Sequence, residues 1–256
     1  MLFRSSIAPQ VALNWRALEW LSFRGSVSRG FRVPSVAEMY TQTQLNIFQV
    51  EPNPNLKAES SQGGEVGLTV QIPGNSLASN IKFDLAAFSS TFDQLIVANP
   101  NEKGIIHFEN LTDARISGLE VGLSGAMLNK SLLFSTAYTH LNPVEIDKDG
   151  SAIDTLAYRF RHTLVTTIGT RLMGVTMTLE NRYMSRIERV KLFQENAISG
   201  QDKRVPIHIW NAGFGYDYRG WDFLFRVENM FQYYYTELER NMGEERHFSL
   251  TISKKI

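Results

Sequence analysis

Val175-Thr176-Met177-Thr178-Leu179-Glu180-Asn181-Arg182 alternates apolar and polar side chains almost residue by residue. A period of two sends successive side chains to opposite faces of an extended strand. Val175, Met177 and Leu179 therefore form one apolar face, and Thr176, Thr178, Glu180 and Arg182 a polar one. The same reading applies to Val66, Leu68, Val70 and Ile72 against Glu65, Gly67, Thr69 and Gln71. It returns in Phe223, Phe225 and Val227 against Asp222, Arg226 and Glu228, and in Phe248, Leu250 and Ile252 against His247, Ser249 and Thr251. A strand wetted by hydrocarbon on one side and by water on the other has this pattern.

The chain has 256 residues, 43% of them hydrophobic, which is enough for a substantial fold and gives no sign of disorder. No stretch approaches the roughly 18 consecutive apolar residues of a spanning helix, so any membrane crossing must use strands. Lys and Arg total 26, as do Asp and Glu, and a formal charge of +0 gives no reason to expect a nucleic-acid partner. With no cysteine there is neither a disulfide framework nor thiolate chemistry. Met1-Leu2-Phe3-Arg4-Ser5-Ser6 lacks the apolar run of an export signal, and the barrel pattern leads us to expect such a signal upstream.

Alternation bounded by Gly, Pro, Asn and Asp predicts strands near Ala8–Ala17, Leu21–Arg29, Gln62–Ile72, Asn80–Val97, Ile105–Gly125 and Leu132–Leu141. Others are predicted near Ala157–Leu172, Val175–Arg189, Val205–Tyr218, Trp221–Tyr235 and Glu245–Ser253, about eleven in all. Short connections at Glu19-Trp20, Met173-Gly174 and Arg219-Gly220 mostly take turns with long ones at Gly30–Ser61, Asn142–Leu156 and Val190–Arg204. Outer-membrane barrels place short turns on the periplasmic side and long loops outside. Trp15, Trp20, Tyr216, Tyr218 and Trp221 lie near short turns, whereas Tyr183, Tyr233, Tyr234 and Tyr235 lie toward long loops, as two aromatic girdles would. The expected fold is an all-β, antiparallel transmembrane β-barrel. An odd number of strands cannot close without a parallel seam, and open edges cannot be satisfied in lipid, so further strands are expected from elsewhere.

Ser28-Arg29-Gly30-Phe31-Arg32-Val33-Pro34-Ser35-Val36-Ala37-Glu38-Met39-Tyr40, followed by Asn53-Pro54-Asn55-Leu56-Lys57-Ala58-Glu59-Ser60 and then Glu65 and Gly67, resembles the TonB-dependent receptors of bacterial outer membranes. Asn110 through Ile116-Ser117-Gly118-Leu119-Glu120 is similar to another strand motif of that family. Val227-Glu228-Asn229-Met230-Phe231, with Tyr235 and Arg246, is similar to its C-terminal motif. The resemblance implies that residues 1–256 are the C-terminal half of a barrel of roughly 22 strands, with the plug domain and early strands lying upstream. The last residue, Ile256, departs from the aromatic residue with which family members usually end.

What the resemblance implies about function is import across the outer membrane of a scarce, large nutrient, such as a siderophore–iron chelate, a corrinoid or a glycan. The partners so implied are outer-membrane lipid, the plug, the remaining strands, the ligand and, through the missing N-terminal part, the TonB energy-transducing complex. Glu65, Lys82, Asp84, Glu120, Glu180, Arg182, Arg226 and Glu228 are expected to face the lumen, each also readable as a merely solvated or paired charge. Arg29, Phe31, Arg32, Glu38 and Tyr40 are candidate ligand or plug contacts. A role that only buttresses the wall is an equal alternative for the charged cluster around Pro34.

No H-E-x-x-H, G-x-S-x-G or phosphate-loop pattern occurs, so no catalytic residue, cofactor or metal is expected. Asp147, Asp149 and Asp154 lack the glutamate spacing of a calcium loop and read as a solvated turn. Gln194–Lys203 is a second candidate ligand loop. Two other classes compete: a passive porin-like barrel, and a soluble β-sandwich that binds glycans, whose strands average only about 5 to 6 residues.

Overall fold

The structure, a computed structural model, describes residues 7–44, 49–74, 78–101, 105–189, 205–238 and 241–254. The chain runs β1 (Gln10–Leu18), β2 (Leu21–Arg32), α1 (Val36–Tyr40), β3 (Thr43–Gln44), β4 (Gln49–Glu51), β5 (Glu59–Ile72), β6 (Ala78–Pro100) and β7 (Ile105–Met127). It continues with β8 (Leu132–Ile146), β9 (Ala152–Thr155), β10 (His162–Leu172), β11 (Val175–Met184), β12 (Ile207–Tyr218), β13 (Trp221–Glu228), β14 (Thr236–Leu238), β15 (Asn241–Met242) and β16 (His247–Lys254). Eleven strands follow one another in the order β1-β2-β5-β6-β7-β8-β10-β11-β12-β13-β16 as a single antiparallel sheet. The sheet is open at β1 and β16, and the only other sheet among the described residues is the two-stranded pair β14–β15, too small for the second layer of a sandwich, so that alternative is set aside.

Cross-strand partners share a face, so the register settles which side each residue occupies. One face carries Leu13, Phe23, Val66, Leu119, Ile168, Leu179, Phe214, Phe225 and Leu250, all of them exposed. A belt of large exposed apolar side chains this wide marks an interaction surface rather than a solvated one. The other face carries Arg24, Asp84, Glu120, Thr139, Thr163, Arg182 and Arg226.

At one end of the sheet the connections are short. Met173-Gly174 and Arg219-Gly220 are two-residue hairpin loops with both residues at positive φ (51° and 81°, 49° and 81°), the mirror-image turn whose twist matches the flanking strands. At the other end the chain leaves β2 at Arg32, β8 at Ile146, β11 at Met184 and β13 at Glu228 for its longer connections. The β6–β7 connection is short there because its length has gone into the strands. Each has 23 residues, against the 9–11 or so that a tilted crossing needs.

Several predicted boundaries move. β8 continues through Pro143 to Ile146 and pairs with β9, so the expected loop Asn142–Leu156 is largely a hairpin. Pro143 is tolerated because β10 stops at His162, opposite His140, and needs no ladder bond from it. The strand expected from Ala157 starts at His162, after Tyr158 takes a positive φ of 58°. The strand expected to reach Arg189 ends at Met184. The one expected to reach Tyr235 ends at Glu228, because Asn229 (φ 48°) turns the chain.

Tyr233 and Tyr235 leave the expected outer girdle and pack over Met184, Ile207 and Ile209. Met184 lies in the Glu120–Thr139–Thr163 row, so this small core sits on the polar face. Tyr183 stays on the apolar face beside His208, with ring centroids 4.9 Å apart. The loop Val190–Arg204, with Gln194–Lys203 inside it, lies outside the described residues, as do Met1–Ser6 and Ile256.

Candidate functional site

The polar face is organised first around Arg24, which sequence reasoning passed over. Its Nε donates to Glu65 Oε1 at 2.7 Å, Nη1 to Asp84 Oδ2 at 3.1 Å and Nη2 to Asp84 Oδ1 at 2.9 Å, while Thr69 Oγ1 donates to Asp84 Oδ2 at 2.6 Å. One guanidinium thereby ties β2, β5 and β6 together. It lies across Gly67, its register partner, where an added Cβ would sit 2.8 Å from Arg24 Cζ and 2.9 Å from the Leu85 carbonyl oxygen. Glycine is needed at that position for close approach.

The second centre stands where β2 leaves the sheet. Arg32 Nε and Nη2 donate to the two oxygens of Glu59, each at 2.7 Å, a bidentate fork. Its Nη1 donates to both oxygens of Glu38, at 3.0 and 2.9 Å. Glu38 belongs to a capping box. Ser35 Oγ accepts from the Glu38 N–H at 3.2 Å, and Ser35 N–H donates back to Glu38 Oε2 at 2.7 Å. Glu59 is buried and also accepts from the Ile96 N–H at 2.6 Å, which binds β6 into the same knot. Burial pushes the Glu38 carboxyl up, but the Ser35 and Arg32 hydrogen bonds outweigh it and hold the group below the usual carboxylate range.

Single asparagines fix the surrounding loops. Asn53 Nδ2 donates to the Phe108 carbonyl at 2.8 Å, and Asn110 exchanges hydrogen bonds with the Lys57 N–H (2.8 Å) and carbonyl (3.0 Å). Together with the parallel pairing of β4 on β7, these bonds brace the 33–58 segment against the projecting β6–β7 hairpin. Asn229, 3% exposed, donates to the Tyr233 and Glu244 carbonyls at 2.8 and 3.0 Å and accepts from the Tyr233 N–H at 2.8 Å. The family-like motifs are thus structural clasps as far as their hydrogen bonds go. The pairings of Arg32 with Glu59, Asn53 with Phe108 and Asn110 with Lys57 join residues 27, 55 and 53 apart, which spacing could not show.

The eight residues expected to face a lumen all fall on the polar face. Lys82 stands opposite Gln71, Glu120 opposite Thr139, Arg182 opposite Ile209 and Arg226 opposite Ser249. Glu180 accepts from Asn211 Nδ2 at 3.0 Å, and Glu228 meets His247 Nε2 at 2.7 Å. Glu65 and Asp84 share Arg24.

The candidate ligand or plug contacts divide. Arg32 and Glu38 are joined in the clasp, and Tyr40 is exposed at the end of α1. Arg29, opposite Gln62, and Phe31, opposite Ser60, belong to the other face. Glu228, Glu244 and His247 bring ligand atoms within 4.8 Å of one another, with two of the three residues exposed and Glu228 and His247 already paired. Asp147 and Asp149 turn to neighbouring backbone N–H groups, and Asp154 meets Arg189 at 3.1 Å.

A profile of the family described as TonB dependent receptor-like, beta-barrel, matches residues 3–237. The chain belongs to that family. Its fold is similar to that of the ferric enterobactin receptor PfeA from Pseudomonas aeruginosa in complex with enterobactin, with a TM-score of 0.68 at 16% identity, covering 96% of this chain and 40% of that one. Among curated relatives, "Heme/hemopexin utilization protein C" of Haemophilus influenzae is 25% identical over 146 residues, which is 45% of this chain and 20% of the relative. "Hemoglobin and hemoglobin-haptoglobin-binding protein C" of Haemophilus influenzae is 27% identical over 142 residues, 50% of this chain and 13% of the relative. The chain therefore spans a minor part of the length of the proteins it matches.

Proposed function

We propose that this TonB-dependent receptor-like chain is the C-terminal wall of a bacterial outer-membrane importer for a large iron-bearing nutrient, heme or a ferric chelate. The apolar face meets lipid, and the polar face lines the lumen and contacts a plug supplied from outside residues 1–256. The observation that carries this reading is the sheet itself. Nine of the eleven strands present large exposed apolar side chains on one side, and the sheet carries Glu65, Lys82, Asp84, Glu120, Glu180, Arg182, Arg226 and Glu228 on the other. Lipid is the partner that such a belt fits.

The nutrient class is supported by relatives named for heme, hemopexin and hemoglobin, and by a structural neighbour holding enterobactin. The Arg32 clasp acts as a buttress that sets the mouth, leaving capture to the loops above it. A passive pore is the weaker reading, since it has no use for the braced 33–58 segment.

The test is growth of a strain lacking the complete gene, on heme, on hemoglobin or on a ferric catecholate as sole iron source, with and without TonB. Loss of growth on one of these sources, restored by the gene only when TonB is present, is the expected result. Unimpaired growth on all of them would refute the nutrient class, and TonB-independent rescue would favour the pore.

A further inference from the structure

At the short-turn end of the apolar face, Tyr218, Trp221 and Lys254 form one row across β12, β13 and β16. Two cations are held over rings there: Lys254 Nζ is 5.2 Å from the Trp221 ring centroid, and Arg219 Cζ is 5.3 Å from that of Tyr218. Tyr216 stacks on Tyr218 with centroids 6.1 Å apart, and the hairpin turn at Arg219-Gly220 fixes where the arginine starts.

The nearest carboxylates of these strands, Asp217 and Asp222, pair with each other in register one position away and so belong to the opposite face. There Asp217 meets Arg171 at 3.1 Å. On β12, β13 and β16 the two ring-seated cations thus lie on the apolar side of this rim, and the acids lie on the polar side, where Arg171 of β10 offsets Asp217. Next to the row, Phe223 pairs with Ile252, and Phe225 with Leu250, continuing the apolar belt away from the turns.

We propose that Arg219 and Lys254, seated on Tyr218 and Trp221, bind the headgroup of an anionic glycerophospholipid in the leaflet that meets the short turns. The inference rests on the membrane reading above and names one lipid class for one patch. Charge complementarity selects an anion, because two cations on this rim face outward with the acids turned away. Attachment to acyl chains selects a lipid over free phosphate, because the apolar stripe of Phe223, Ile252, Phe225 and Leu250 leads directly from the cations. Rings that are apolar in body and polar at the edge belong at this depth, and long cationic side chains reach past them to the phosphate level.

The experiment uses the full-length receptor in neutral detergent, titrated with short-chain phosphatidylglycerol, short-chain phosphatidylcholine and inorganic phosphate, with bound molecules counted by native mass spectrometry. Phosphatidylglycerol should bind preferentially, and R219Q/K254Q should weaken it by about thirtyfold, the effect of two surface cations on an anionic lipid. The control R171Q, on the polar face, should leave it unchanged. Equal binding of phosphatidylcholine, equal binding of inorganic phosphate, or an unaffected double variant would each overturn the proposal. Fractionation with the outer membrane and heat-modifiable gel migration are scored on the same preparations. Failure of those readouts refutes the membrane reading itself, whereas their success with unselective lipid binding refutes only the headgroup site.

Discussion

The middle of the sheet and its long-loop rim are held by different kinds of information. In the middle, position is set by a binary pattern. Leu179 faces one way because Thr178 faces the other, and any apolar residue of similar size would serve. At the rim, position depends on individual donors and acceptors: Arg32 between Glu38 and Glu59, Asn110 on Lys57, and Asn229 on Tyr233 and Glu244. Even the two arginine centres differ in this way. Arg24 crosses strands that ladder bonds already join, whereas Arg32 ties a wall strand to the 33–58 segment, whose other anchors are the short β4 pairing and the bonds of Asn53 and Asn110. A pattern-coded wall tolerates sequence drift, and a residue-coded rim does not.

The contrast is broken most directly by placing arginine on each face of β11. In the complete receptor, Leu179→Arg should destabilise the barrel by about 2–4 kcal/mol, as for arginine near a bilayer midplane, and Thr178→Arg by far less. Unfolding titrations in lipid vesicles would measure both, and equal costs would remove the assigned facing.

At the rim, Arg32→Ala should open the 33–58 segment at a cost of about 2 kcal/mol, discounted from a fully buried pair because Arg32 is nearly half exposed. Limited proteolysis should then cut within 33–58 while the barrel stays resistant. Arg24→Ala should produce no such cut.

Asn229→Ala leaves the Tyr233 N–H and two carbonyls without their side-chain partner, and is expected to cost roughly 1–3 kcal/mol. Hydrogen exchange at residues 229–238 would report it. Gly67→Ala should cost about 1–2 kcal/mol, since the new methyl group meets the fixed Leu85 carbonyl as well as Arg24. A comparable Gly215→Ala, where the nearest atoms are 3.5 Å or more away, should be milder.

The smallest effect is that of pH. The Glu38 carboxyl is held below its unfolded value, so its contribution is present above the unfolded pKa and is lost as pH falls through the folded one. Acidification below about pH 4 should therefore raise protease cutting at 33–58 before the wall responds, and Glu38→Gln should flatten that dependence.

The wall was legible in the sequence because period two survives every local accident, and the face of Glu120, Glu180 and Arg226 followed from parity alone. The same parity separates Arg29 and Phe31 from Arg32. They were grouped as one cluster by nearness in sequence, and the strand alternates them to opposite sides. Arg24 was equally available, standing in phase with Ser22 and Ser26 on β2.

The partners in the clasps were not legible. Arg32 and Glu59 are 27 residues apart, and Arg24 and Asp84 are 60 apart, so the pairings exist only once strand register is known. Strand ends were misplaced for a related reason. Asn229 stops a strand through positive φ and side-chain bonds, and Tyr158 delays one through positive φ, neither of which hydrophobic alternation encodes.

The β6–β7 hairpin stands well above its neighbours, since its ladder continues past the point where β5 begins at Glu59 and β8 ends at Ile146. Beyond those points β6 runs about six residues further and β7 about eight, and at about 3.3 Å per residue they raise a post roughly 20–25 Å long. β4 and Asn53 brace the hairpin against the 33–58 segment. In the importer proposed above, this post is the part of the wall that an arriving cargo would meet first.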